Sequence, residues 1–300
     1  MESWSQKLFK SNETNDKVVN NNKNKISKNI NKIDEGLSDI KKFQRDGFLL
    51  VPSVLDENKC NELKNIIDGL DGPDSNKRDK KYNKHTVHKT VFEKFPTECL
   101  DVFKNETIVP IVKRLLGMAG TSRKNDKSLL AHVMHNNAFK ISPGGRGQAP
   151  SWHTDDAPLF SGELPDHVHV APMVLTCMYY LNDVHGAADG MTHVIPGSHR
   201  FGRPCTNEEV ESSMQEKIYC PEFIPKGSVM IISSSVWHRG SAVAKTGNAR
   251  YLFQVSYGRR LVGHKHKSIM DYHLPSNVKN KLKTDEDKEL MGYLQGGAYS

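Results

Sequence analysis

The chain has 300 residues, with 42 Lys and Arg against 35 Asp and Glu, a net charge of +7 and only 36% hydrophobic residues. No apolar run approaches the roughly 20 residues that cross a bilayer, which argues against a membrane protein. Five cysteines (Cys60, Cys99, Cys177, Cys205 and Cys220), odd in number and without a CxxC pair, argue against a disulfide scaffold and fit a cytoplasmic or other reducing intracellular compartment.

Residues 1–36 are dominated by Asn and Lys and show no apolar periodicity. Such a segment cannot bury enough surface to offset its ordering entropy, so disorder is expected. An unselected polar tail and a binding arm both remain open for it. Residues 37–300 are expected to form a single domain. Asp39 to Arg45 reads as a short helix, and Gly47 to Pro52 as a buried strand closed by proline. Asp56 then caps a helix with Cys60, Leu63, Ile67 and Leu70 on one stripe, ended by Gly69, Gly72 and Pro73. A basic loop, Asn76 to His85, follows. Glu98 to Leu116 reads as helical, broken near Pro110 and stopped by Gly117.

From Leu129 the texture changes to short strands: Ala131–Met134, Ala138–Ile141, Met173–Leu181, Thr192–Ile195, Ser228–Ile232 and Arg250–Tyr257. Residues 206–217 read as a helical insertion. Thr284-Asp285-Glu286-Asp287 resembles a capping box that opens a helix through Leu294. Helices followed by many short strands with Gly/Pro punctuation predict a mainly β fold with flanking helices, a sandwich or jelly roll.

The chemistry concentrates in Ser151-Trp152-His153-Thr154-Asp155-Asp156, which follows the Gly/Pro-rich run Pro143 to Pro150. If this stretch is extended, His153 and Asp155 leave the same face, because side chains alternate with a period of two. A third ligand must come from far along the chain. His238, at the end of a strand that starts after Pro225-Lys226-Gly227, is the best candidate. Two histidines and one carboxylate on one side of a metal form the facial triad of non-haem Fe(II) oxygenases. Arg250 begins the last strand, where its fork can hold a carboxylate bidentately, and Ser241 can add a hydroxyl bond. A metal with an acid anchor is what a 2-oxoglutarate cosubstrate requires.

Residues from about Ile40 to Arg260 resemble the phytanoyl-CoA dioxygenase family of Fe(II)/2-oxoglutarate-dependent oxygenases. The stretches that carry the resemblance are Phe43 to Pro52, the Pro196-Gly197-Ser198-His199 segment with its flanks Gly190 to Arg200, and Pro225 to Ile232. The resemblance implies a double-stranded β-helix of cupin-like jelly-roll type. It implies iron on His153, Asp155 and His238, and 2-oxoglutarate on Arg250 and Ser241. Asn136, Lys140 and Thr176 match positions that line the cosubstrate pocket. Lys140 departs from the neutral amide often found there, so contact with substrate is the other reading for it. A small residue replaces the carboxylate in related halogenases, so Asp155 argues against halogenation.

The implied reaction consumes O2 and 2-oxoglutarate, releases succinate and CO2, and oxidises an unactivated C–H bond. Hydroxylation is the usual outcome; ring closure of an acidic natural-product precursor, as in kainoid synthases, is the alternative. Arg146, Arg200, Arg203 and Arg239 lie near the motifs, either as a solvated rim or pointing inward at an acidic substrate. Trp152 lines the pocket or packs in the core. A small carboxylated metabolite is expected as substrate, handled by a monomer or weak homo-oligomer, with neither nucleic acid nor a membrane as partner. A non-catalytic basic binding module, using the tail and the 76–85 loop, is the rival class, although no zinc-finger spacing, RNA-recognition motif or basic heptad region accompanies those runs.

Overall fold

Among the described residues, short runs that are for the most part rich in β-branched, aromatic and other apolar residues form eight strands. These are β1 (Phe48–Val51), β2 (His85–Lys89), β3 (Ala131–Ile141), β4 (Val174–Tyr180), β5 (Thr192–Val194), β6 (Val229–Ser233), β7 (His238–Gly240) and β8 (Arg250–Arg259). The computed structural model describes residues 39–70, 84–89, 91–116, 131–146, 151–155, 163–165, 168, 171–259 and 276–291. The chain divides into two units, Met1–Lys41 and Lys42–Ser300. Of the first, only residues 39–41 are described, and they are helical. The expected polar tail, most of the basic loop and the end of the C-terminal helix lie outside the described residues. Among the described residues no helix is long and apolar enough to cross a membrane. All five cysteines are free thiols, and three of them are buried.

Six strands form one antiparallel sheet in the order β1-β6-β4-β8-β3-β2, and β5 pairs with β7 in a second, smaller one. Isolated bridges extend the small sheet on both sides: His153 pairs with His238 of β7, and Tyr219 with Val194 of β5. The two layers face each other as a double-stranded β-helix. Phe48, Met178, Tyr180, Met191, Val194, Met230, Ile232 and Leu252 pack in one core cluster.

Helices cover the outer face of the large sheet. Tyr179 donates its hydroxyl to the Val102 carbonyl at 3.1 Å, and Tyr257 donates to that of Phe103 at 2.9 Å. The first long helix, Glu57–Leu70, buries Cys60, Leu63 and Ile67 along the expected stripe, and Asp56 accepts the Lys59 amide at 2.8 Å as its cap.

Four expectations change. The helical stretch after Glu98 is two helices, Pro96–Phe103 and Ile108–Leu115. The break falls at Asn105, whose side chain accepts the amides of Thr107 and Ile108; Pro110 sits in a first turn, where no amide is missed. The two expected strands 131–134 and 138–141 are one strand with a bulge between Val133 and His135. His85, read as the end of the basic loop, and residues 86–89, for which no element was expected, form edge strand β2. Finally, His238 does not end the strand that follows Gly227. That strand stops at Ser233, and residues 234–237 turn into the second sheet.

Gly227 shows how tightly the turn before β6 is built. It has φ +78°, its carbonyl accepts the amides of Val54 and Leu55, and a Cβ there would stand 2.1 Å from the Leu55 carbonyl oxygen. At Gly69, in the last turn of its helix, an added Cβ would meet nothing within 4 Å. Gly227→Ala is therefore expected to lower unfolding free energy on the order of 2 kcal/mol, whereas Gly69→Ala should raise it by about 0.5 kcal/mol. Urea titration of both variants reads the contrast, and equal effects would contradict the turn geometry.

Candidate active site

His153 reaches the site because its backbone pairs with that of His238 through two hydrogen bonds of 3.0 Å each. Asp155 is held two residues on by its amide, which donates to the Ser234 carbonyl at 2.9 Å. The result is the expected one for an extended stretch: His153 and Asp155 converge with His238. One ligand atom from each of the three lies within 4.8 Å of the others. Asp155 Oδ1 is 3.9 Å from Nε2 of both histidines.

The tautomers follow from the partners. His153 Nδ1 lies 3.0 Å from the Ser151 carbonyl, and His238 Nδ1 lies 3.0 Å from that of Val236. A carbonyl only accepts, so each Nδ1 must carry the proton and each Nε2 presents its lone pair to the centre. Burial holds the His238 imidazole below its ordinary pKa, against the pull of Asp155. Two lone pairs and a carboxylate oxygen facing one point fit a divalent metal of the non-haem iron type.

The segment Pro196-Gly197-Ser198-His199 supports this geometry from behind. Gly197 takes φ +81° and donates its amide to the Asp46 carbonyl at 2.9 Å. The Ser198 hydroxyl donates to Ile195 O at 2.7 Å and accepts the Trp237 amide at 2.8 Å, one residue before His238.

The triad opens into a cavity of about 380 Å³, within the range of small-molecule sites. Its large-sheet wall is set by the pleat. Arg250, Leu252 and Gln254 of β8 face inward, with Asn137 and Phe139 of β3, Thr176 and Met178 of β4, and His85 and Lys89 of β2. Arg250 is 4% exposed, and among the described residues its Nε and Nη1 have no hydrogen-bond partner. Burial pulls its pKa down to about 10. An orphaned guanidinium fork aimed into a cavity fits a bidentate carboxylate.

Of the other expected site residues, Thr176 alone joins Arg250 on this wall, its hydroxyl 3.0 Å from that of Ser256. Asn136 and Lys140 do not line the cavity. They project from the opposite face of β3, where Asn136 accepts the Phe92 amide at 3.0 Å and donates to Glu93, and Lys140 pairs with Asp68 at 2.6 Å. The inward residues are their neighbours His135, Asn137 and Phe139. A one-residue error in parity exchanges the two faces of a strand. The pairing of Ile141 with Arg250 sets that parity, because directly opposed residues share a face.

Ser241 is likewise absent from the lining; its hydroxyl donates to the Met191 carbonyl. Arg146 is exposed, and Arg200 is half-buried in the turn after Ser198; neither lines the cavity. Trp152 is 4% exposed and packs with Ile195, Val210 and Trp237. Arg239 stacks on it from outside the small sheet, 5.0 Å from the ring, and donates to His193 at 3.2 Å. Burial and the neighbouring Arg239 charge bring His193 down to about 4. Arg203 pairs with Glu209 at the surface. Trp152 is therefore core, and the arginines near the motifs, Arg250 apart, do not line the cavity.

A family model described as phytanoyl-CoA dioxygenase matches residues 43–250. Among solved structures, HygX from Streptomyces hygroscopicus, with nickel and 2-oxoglutarate bound, aligns over 76% of this chain and 88% of its own, at 14% identity and a TM-score of 0.56. The epimerase SnoN, in complex with Fe3+, alpha ketoglutarate and nogalamycin RO, aligns over 75% and 84% at 16% identity and a TM-score of 0.55. The carbocyclase SnoK from nogalamycin biosynthesis aligns over 74% and 83% at 17% identity and a TM-score of 0.55. At these identities the likeness shows a shared fold. Comparison with curated proteins returns no match.

Two thermal experiments follow from the cavity. Anaerobic Mn(II) at one hundred times its dissociation constant should stabilise the protein by about 2.7 kcal/mol, and His238→Ala or Asp155→Ala should abolish the shift. Arg250 carries a burial cost that is fully present below about pH 10 and is relieved as pH rises, because the folded state then binds fewer protons than the unfolded one. Arg250→Met should therefore be more stable than the parent without ligand, on the order of 1 kcal/mol, yet gain nothing from added 2-oxoglutarate. A destabilised variant that still gains would contradict the orphaned charge.

Proposed function

The chain belongs to the phytanoyl-CoA dioxygenase family of Fe(II)- and 2-oxoglutarate-dependent oxygenases, and from that premise we propose that it oxidises an unactivated C–H bond of a small, acidic metabolite, with hydroxylation as the outcome. His153, Asp155 and His238 would hold the iron, and Arg250 would hold one carboxylate of 2-oxoglutarate. When bound, Fe(II) with 2-oxoglutarate and O2 supplies the oxidation, releasing succinate and CO2.

The observation that carries this reading is the coincidence of two unsatisfied groups in one cavity. Three ligand atoms converge on one point, and a buried guanidinium whose Nε and Nη1 have no hydrogen-bond partner among the described residues opens into the same space. Each lacks what the cofactor and cosubstrate bring. The residues of the chain then bind and orient. The carbonyls of Ser151 and Val236 fix the imidazoles, while Leu252 shapes the wall next to Arg250 and Thr176 its far end, opposite Ser256. Met178, Phe139 and Ile232 keep much of that wall apolar and exclude water. Asp155 is the one carboxylate among the described lining residues, and Lys89 and Arg250 are cations there. That balance favours an anionic substrate.

The primary test mixes protein, Fe(II) and 2-oxoglutarate without oxygen and looks for the weak visible charge-transfer band of the ternary complex. The band should appear in the wild type and vanish in the Asp155→Ala, His238→Ala double variant. Persistence in that variant would place the metal elsewhere. With air admitted, succinate should form, and Arg250→Ala should raise the KM for 2-oxoglutarate at least tenfold, since a charged, bidentate contact is lost. SnoK is a carbocyclase, so product mass should be read for loss of two hydrogens as well as gain of one oxygen.

A further inference from the structure

The inward residues of the large sheet form cross-strand rows, and their hydrogen bonding differs from row to row. In one, His135 of β3, Ser256 of β8 and Thr176 of β4 are register partners. They bond to each other: Thr176 Oγ1 is 3.0 Å from Ser256 Oγ, which is 3.1 Å from His135 Nε2. In another, Arg250 is unsatisfied, and 2-oxoglutarate is the proposed partner. Between them Asn137 of β3 stands opposite Gln254 of β8. Both side chains line the cavity, and the Asn137 Oδ1 atom is buried without a hydrogen-bond partner.

An orphaned acceptor needs a donor. 2-Oxoglutarate at neutral pH is a dianion that carries acceptors only, so it can satisfy Arg250 and cannot satisfy Asn137 Oδ1. We infer that Asn137 and Gln254 form the substrate-reading pair of the cavity, and that the substrate presents an N–H or O–H donor to them: an amine- or hydroxyl-bearing acid. This deepens the oxygenase reading and rests on it. A primary amide on each strand supplies an acceptor and two donors, so the pair discriminates by hydrogen bonding. A site of that kind rejects an analogue lacking the donor far more strongly than an apolar wall rejects a lost methylene. Met178, opposite Gln254 on β4, supplies the apolar flank.

The test measures succinate release with Fe(II), 2-oxoglutarate and matched acids: amino and hydroxy acids, each beside its fully N-methylated or O-methylated counterpart. Donor-bearing acids should raise succinate release above the rate without added acid, and their methylated counterparts should be at least tenfold weaker. For the best acid, Asn137→Leu and Gln254→Leu should each raise its KM at least tenfold and move the KM for 2-oxoglutarate less than twofold. The inference is overturned if no donor-bearing acid stimulates, if methylated acids serve equally, or if the 2-oxoglutarate KM rises in these variants as it does in Arg250→Ala. Absence of succinate under every condition would instead remove the oxygenase reading itself.

Discussion

The register between β3 and β8 decides what the cavity contains. Ile141 stands opposite Arg250 and Asn137 opposite Gln254, so one pleat turns guanidinium, amides and aromatic ring inward together. The alternate residues Asn136, Ala138 and Lys140 turn outward to the helices. A shift of one residue in that pairing would exchange the two sets and leave Arg250 beside apolar core. The bulge at Val133/His135 lets the strand change phase near one end while keeping this pairing at the other.

The metal centre depends on a second, smaller device. His153 lies in no regular strand; one bridge to His238 fastens it. His238 in turn begins β7 straight after a turn, and the Ser198 hydroxyl holds the last amide of that turn. The loop carrying Ser198 is itself seated on the start of the domain: Gly197 bonds to Asp46, His199 approaches the Gln44 carbonyl at 3.2 Å, and a Cβ on Gly47 would stand 2.5 Å from the His199 ring. Two stretches that carry the family resemblance, far apart in the chain, are thus two sides of one contact behind a ligand.

Much of this was legible in the sequence wherever the signal is local. The capped helix from Glu57, the strands from Val174 and Arg250, and the convergence of His153 with Asp155 follow from periodicity, caps and side-chain alternation. His238 and Arg250 were readable because few strand-borne residues of those types lie downstream in a suitable order. What was not legible is non-local. Nothing within Ala131 to Ile141 tells which parity faces inward, since both faces mix polar and apolar residues, and only pairing with β8 decides it. β2 was hidden because His85, Thr86, His88 and Lys89 are polar and give no strand pattern until β3 supplies an edge. Arg239 and Trp152 sit beside metal ligands in sequence, yet alternation sends them to the other side of the small sheet.

The same pleat sorts the sulfur atoms of β4. Cys177 lies between Thr176 and Met178, whose side chains face the cavity, and it points into the helix-covered layer, where burial pushes its thiol well above the ordinary range. It stays protonated, and a thiol rather than a thiolate is a poor target for oxidants. The sulfur left facing the chemistry is the Met178 thioether, with the Thr192 hydroxyl 3.9 Å away; its oxidation is reversible, whereas the later steps on cysteine are not. Strand geometry alone thereby keeps the β4 cysteine one layer away from the cavity in which dioxygen would react.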